Sequence, residues 1–181
     1  MKIKISTCAI LSPLALLASA SAAYGADGTI NFTGSLTDAT CVVKVNNTSA
    51  DGTVALPAIS KASLSSAGVV AGATAFTLNL TGCTTGNTVN AYFEAGSTVD
   101  SNTGNLINSG TANNVQVQLL TNSGTPIAVG SSSQASSSGV SMTASPSVTS
   151  GALYYIAQYY ATGASTSGSV NTSVTYSLVY N

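Results

Sequence analysis

The 181-residue sequence predicts an all-β domain, a sandwich or a barrel, and three observations carry that prediction. Apolar residues recur in short runs with a period of two. Gly, Asn, Ser and Pro separate these runs. Past the N-terminus, no stretch holds a convincing long helical pattern. Ser, Thr, Gly, Ala and Asn are abundant and only 5% of residues are charged. Such a composition could suggest disorder, but the Val, Ile, Leu, Phe and Tyr residues fall within the alternating runs, as a folded β protein requires.

The N-terminus reads as a secretion signal. Lys2 and Lys4 precede an apolar run, Ile10–Ala20, and small residues follow. The run is too short to cross a bilayer core of about 30 Å as a helix. Cleavage is expected after Gly25, with Ala23 and Gly25 as the small residues at −3 and −1; cuts after Ala20 or Ala22 are the alternatives. Residues 1–25 are thus read as a leader, and no later segment reads as transmembrane. Cys8 lies too early for a lipoprotein anchor.

Past the leader, Lys44 and Lys61 stand against Asp27, Asp38, Asp51, Glu94 and Asp100. Two cations against five carboxylates give a net charge of −3, with no Arg or His. Nucleic-acid binding needs many cationic phosphate contacts, and docking on an anionic membrane needs a basic patch. Both are excluded. Two cysteines remain, Cys41 and Cys83. In an exported chain they most simply form one structural disulfide. They are too far apart in sequence for a C-x-x-C redox pair.

In chain order, Gly28–Leu36 comes first. Ile30, Phe32, Gly34 and Leu36 share one face if the segment is extended, and Thr29, Asn31, Thr33 and Ser35 the other. Strands are then predicted at Cys41–Val45, at Thr53–Leu56 (ended by Pro57) and at Ala75–Leu80, which runs into Gly82–Cys83. Ile59–Ala71 is ambiguous: Ala, Ser and Leu favour a helical turn, whereas Gly68 and Val69–Val70 oppose it. Thr88–Glu94 and Val115–Thr121 are strands, with a loop over Asp100–Asn114 between them. Pro126–Val129 is a short extended piece. Gly130–Gly139 is a Ser-rich loop. Leu153–Ala161 and Val170–Tyr180 close the chain.

Catalytic chemistry has few residues to draw on. Without His or Arg, no serine has an imidazole base. The five acids sit among Gly, Asn, Ser and Thr, as exposed turn residues do, which argues against a glycosidase pair and shows no calcium-loop spacing. No metal site is expected, with no His and both cysteines bonded, and no cofactor. The Asn-x-Ser/Thr triplets at Asn31, Asn46, Asn47, Asn79 and Asn171 follow from composition alone. Tyr154–Tyr155, Tyr159–Tyr160, Tyr176 and Tyr180 leave open a sugar-binding aromatic platform. They equally fit a strand pair with some rings in the core and some at the surface.

Taken together, GTINFTGSLTDATC near the start, FTLNLTGC around the second cysteine, YYIAQYYATG and the terminal VTYSLVYN resemble the major pilins of chaperone–usher fimbriae, the type 1 fimbrial protein family. The resemblance covers about Gly28 to Asn181. It implies an immunoglobulin-like β-sandwich that lacks its last strand. A periplasmic chaperone, and then the N-terminal extension of the next subunit, fills the gap at an outer-membrane usher. The product is a surface fibre. Residues 26–37 would be the donor extension and 38–181 the pilin domain. Gly28, Ile30, Phe32, Gly34 and Leu36 match the donor strand, with Gly34 at the family's glycine. Gly168, Val174, Tyr176, Leu178 and Tyr180 match the groove-lining strand that pairs with the chaperone. Cys41 and Cys83 match the family disulfide. The implied partners are neighbouring subunits, chaperone and usher, with no nucleic acid and no membrane insertion. A minor or adaptor pilin, or a secreted carbohydrate-binding sandwich, is the alternative.

Overall fold

Eight antiparallel strands build the fold seen in a computed structural model, which describes residues 29–34, 36, 40–134, 139–143 and 147–181. The expected leader, Gly28 and the middle of the Ser-rich loop lie outside these residues. The chain divides into two units, Met1–Leu36 and Thr37–Asn181. In the first, Thr29–Gly34 and Leu36 form no strand. Ile30 is 79% exposed, Phe32 is 90% exposed, and Leu36 is fully so.

In the second unit the strands are β1 (Val42–Val45), β2 (Val70–Thr81), β3 (Thr88–Phe93), β4 (Leu106–Ile107), β5 (Val115–Thr121), β6 (Val140–Ser141), β7 (Gly151–Ala161) and β8 (Tyr176–Tyr180). One sheet runs β1-β2-β7-β5-β4 and the other β6-β3-β8. The period-two pattern explains the packing between them. Phe76, Leu78 and Leu80 of β2, Val117 and Leu119 of β5, and Leu153, Tyr155 and Ala157 of β7 point to one side. Val89, Ala91 and Phe93 of β3 meet them from the other sheet. Tyr155, 1% exposed, joins the sheets: its ring stacks on Phe76 at 5.6 Å and meets Phe93 edge-on at 5.0 Å. Tyr154, the residue before it, is exposed, and Tyr159 and Tyr160 are half-buried. The late tyrosines are therefore divided between core and surface by alternation. The fold is an all-β, incomplete immunoglobulin-like sandwich. Cys41, just before β1, is bonded to Cys83, just after β2.

Gly28–Leu36 and Val170–Thr175, predicted as extended strands, form none among the described residues, and four further segments depart from the sequence reading. Thr53–Leu56 keeps its alternation, with Val54 and Leu56 half-buried, yet it is no strand, because no neighbouring backbone pairs with it among the described residues. Pro126–Val129 contributes one bridge, Leu120 to Pro126, and otherwise serves the core through Ile127 and Val129. The ambiguous Ile59–Ala71 holds a single 3-10 turn, Lys61–Leu64, whose Ala62 N–H donates to the Ser60 hydroxyl at 3.3 Å; β2 then begins at Val70. In Asp100–Asn114, the expected loop carries β4. Its Asp100 is more than a turn residue: the carboxylate accepts from Asn102 N at 2.9 Å and from Gln116 Nε2 at 2.7 Å, and Gln116 is buried. These bonds, the Asn102 N–H foremost, hold its pKa below the usual carboxylate range.

Candidate functional site

Between the two sheets, on one side of the sandwich, lies a groove of about 770 Å³. Its floor is the core itself: Phe76, Leu78, Phe93, Leu106, Val117 and Leu119. Its flanks are Ala50–Leu56 and Val170–Tyr176.

Among the described residues the Val170–Tyr176 flank is bonded on one edge only. Ser109 N donates to Asn171 O at 2.8 Å, Glu94 N to Thr175 O at 2.9 Å, and the Thr98 hydroxyl to Ser173 O at 2.7 Å. These acceptors are odd-numbered. Peptide groups along a strand alternate sides, so the N–H and C=O of Val170, Thr172 and Val174 face the groove. Beyond them β8 pairs only with β3, and Tyr176, Leu178 and Tyr180 continue the same open edge. The side chains of the even-numbered residues, half-buried, pack on the core, while Ser173, Thr175, Ser177 and Val179 are exposed.

The opposite flank is emptier still. Among the described residues no backbone-to-backbone hydrogen bond engages Thr53–Ile59. Thr172 Oγ1, buried on the groove wall, has no hydrogen-bond partner among the described residues. Two apolar-lined edges with free backbone groups thus face each other across one gap. Buried backbone groups are almost always paired, so this is the shape of a sandwich short of one strand.

Residues 56–181 match the type-1 fimbrial protein A family (FimA). The chain belongs to the type-1 fimbrial protein family. It is 46% identical over 174 residues to the major fimbrial subunit SMF-1 of Stenotrophomonas maltophilia, covering 92% of this chain and 99% of that protein. It is 43% identical to the F17 fimbrial protein of Escherichia coli, covering 90% of this chain and 92% of that one. Among solved structures, the P pilus rod subunit PapA shares its fold. The TM-score is 0.57 at 15% identity, over 77% of this chain and 99% of that one.

In this type-1 fimbrial protein, the groove's far wall owes its position to two glycines. A Cβ on Gly168 would lie 2.6 Å from Thr111 C, and one on Gly110 would lie 2.6 Å from Ser169 C. The two backbones cross with no room for a side chain at either crossing point. Gly168→Val is therefore expected to push Val170–Thr175 off its Ser109 and Glu94 partners. We expect a loss of about 2–3 kcal/mol of domain stability in denaturant unfolding; an unchanged midpoint would contradict the crossing.

The sequence reading named Val174, Tyr176, Leu178 and Tyr180; all four pack on the core, Val174 and Tyr176 lining the groove and Leu178 and Tyr180 beyond it on β8. It missed Val54, Leu56, Val170, Thr172 and Tyr159, which line the groove as well. Alternation in TVALP was a readable signal for Val54 and Leu56. Nothing local marks Tyr159. Its hydroxyl donates to Pro57 O at 3.1 Å, and the Tyr176 hydroxyl donates to Ala50 O at 2.9 Å. Burial raises the pKa of both phenols, and the Asp51 carboxylate adds to the rise at Tyr176, so both remain protonated donors. Among the described residues no group of three His, Cys, Asp or Glu is placed to hold a metal ion, and no helix is long and apolar enough to cross a membrane.

Proposed function

We propose that this fimbrial subunit polymerises by donor-strand exchange. The N-terminal segment of one copy, residues 26–37, fills the groove of the next, domain 38–181. The observation that carries the reading is the gap between Ala50–Leu56 and Val170–Tyr176, apolar at its floor and, among the described residues, without a backbone partner facing it from either edge. The segment has what the gap lacks. Ile30, Phe32, Gly34 and Leu36 fall on one face, and Ile30, Phe32 and Leu36 are exposed. From Ile30 to Leu36 is seven residues, as many as from Val170 to Tyr176. An added strand supplies the main-chain ladder, and its alternate side chains supply specificity.

Burying Ile30, Phe32 and Leu36 contributes roughly 5–9 kcal/mol, and association costs about 4–15 kcal/mol. Side chains alone leave the balance near zero. The ladder, at about 0.5–1.5 kcal/mol net per bond, makes assembly favourable. A subunit meets its neighbour through two different surfaces, so the contact does not close and a linear fibre results. Before assembly the same edge, with Val174, Tyr176, Leu178 and Tyr180, needs cover against non-specific strand pairing. A periplasmic chaperone provides it, and an outer-membrane usher exchanges it for the incoming segment. The fibre stands on the cell surface, and its shaft supports adhesion.

Material sheared from cells that express the chain with its export machinery tests this on a denaturing gel. An unheated sample is expected to give a ladder that collapses to one band after boiling in acid. A single monomer band in both lanes would overturn donor-strand polymerisation.

A further inference from the structure

The groove's weak flank is held at its two ends by tyrosine hydroxyls. Ala50–Pro57 has no backbone ladder of its own, yet it does not stray. At one end Tyr176, on the three-stranded sheet, donates to Ala50 O at 2.9 Å. At the other end Tyr159, on the five-stranded sheet, donates to Pro57 O at 3.1 Å. Between these two bonds lies Thr53–Leu56, which no backbone-to-backbone hydrogen bond engages among the described residues.

Both ends are shaped around these bonds. β2 shifts register between Ala71 and Thr74, and Gly72 sits in that bulge at φ +68°. A Cβ there would lie 2.8 Å from the Tyr159 ring and 3.5 Å from Pro57. The bulge and its glycine thus make the space that the ring needs to reach Pro57 O. At the other end, a Cβ on Gly52 would lie 2.7 Å from Val45 Cγ1. That close approach seats Ala50–Gly52 on the buried Val45, within reach of Tyr176. A strand enters only if its two neighbours stand about twice 4.8 Å apart. Val54 and Leu56 pack on the core and Gly52 on Val45, and the two hydroxyls add the hydrogen bonds that tie this ladderless flank to each sheet.

We infer that the Tyr159 and Tyr176 hydroxyls are positioning groups that hold the Ala50–Pro57 flank at strand-receiving distance before a strand arrives. The inference rests on the donor-strand reading above and says how the empty groove is kept ready. Order imposed beforehand is order that binding need not impose, so the hydroxyls speed capture and tighten it.

The test uses the mature chain carrying Gly34→Val, which is a blocked donor but an intact acceptor. It is first folded with its disulfide formed, and folding is verified by circular dichroism. A fluorescent peptide spanning Ala26–Thr37 is then added. The second-order rate at which the peptide becomes trapped in a detergent-resistant band is measured. Tyr159→Phe and Tyr176→Phe keep the rings and remove only the hydroxyls. Each is expected to slow capture about fivefold, the worth of one neutral hydrogen bond, and the pair about 20-fold. Ile127→Val, a core change outside the groove, lowers stability but is expected to leave the capture rate alone. Tyr154→Phe, on the surface, is expected to change nothing.

Equal or faster capture by the tyrosine variants would overturn the inference and leave donor-strand exchange standing. So would slowing by Ile127→Val that matches the tyrosine variants, because stability alone would then explain the effect. No capture by the parent chain would overturn the donor-strand reading itself.

Discussion

Gly34→Val is expected to abolish fibres while the domain still folds. In this chain a Cβ at Gly34 would meet no atom within 4 Å, so a valine there has space and disturbs nothing. The constraint arises only when the segment lies between Ala50–Leu56 and Val170–Tyr176. Gly34 then shares the inward face with Ile30, Phe32 and Leu36, and three added carbons meet the core floor formed by Phe76, Leu78 and Val117. Overfilling a packed site costs about 1–3 kcal/mol. Backbone displaced to relieve it also loses ladder bonds. Side-chain burial and association cost nearly cancel, so such a loss decides the outcome. The measurement is the yield of sheared fibres against disulfide-bonded monomer in cell fractions. Normal fibres from the variant would remove Gly34 from the donor strand. Gly34→Ala, with one added carbon, is expected to fall between.

Removing the disulfide by Cys41→Ser with Cys83→Ser is expected to cost about 4 kcal/mol, on the chain-entropy view of a 42-residue separation. A domain of this size has about 5–15 kcal/mol in all, and this one has an unfilled groove in its core. The bond also fixes β1, a four-residue strand whose one strand partner among the described residues is β2. The chain leaves β1 through Asn46 and Asn47, both at positive φ, directly into the Ala50–Leu56 flank. Without the bond that flank loses its anchor as well as the domain its stability. Chemical unfolding of the double variant, with and without the Ala26–Thr37 peptide, measures both effects. A shift below about 1 kcal/mol would show that the bond is dispensable. In cells the expected consequence is proteolysis of the unassembled chain and no fibres.

Much of the strand plan was legible in the residues. Cys41–Val45, Thr88–Glu94, Val115–Thr121 and Leu153–Ala161 lie within a residue or two of β1, β3, β5 and β7, because their apolar residues alternate in sequence, although β5, between β7 and β4, is buried on both faces. Three extended segments read equally well and form no regular strand: Thr29–Gly34, Thr53–Leu56 and Val170–Thr175. Their side-chain pattern is that of strands. What they lack is a partner on at least one edge, and partnership is invisible to local pattern. The failure is informative, because these three segments are the donor, the weak flank and the open edge of the proposed exchange. Tyr159, read only as part of the late tyrosine cluster, received no groove role for a related reason. Its partner Pro57 is distant in sequence, and the glycine bulge that admits its ring is recognised only once β2 and β7 are paired.

By itself the sequence determined a weakly charged, all-β chain with two cysteines fit to pair and an alternating segment ahead of the first of them. Those properties follow from composition, from cysteine count and from period two, which are local quantities. The tertiary structure alone decided that one core is left open along Ala50–Leu56 and Val170–Tyr176, and that two tyrosine hydroxyls tie its ends. An open edge is a relation between backbones far apart in the chain, and it exists only after the other strands have paired and left it without a neighbour.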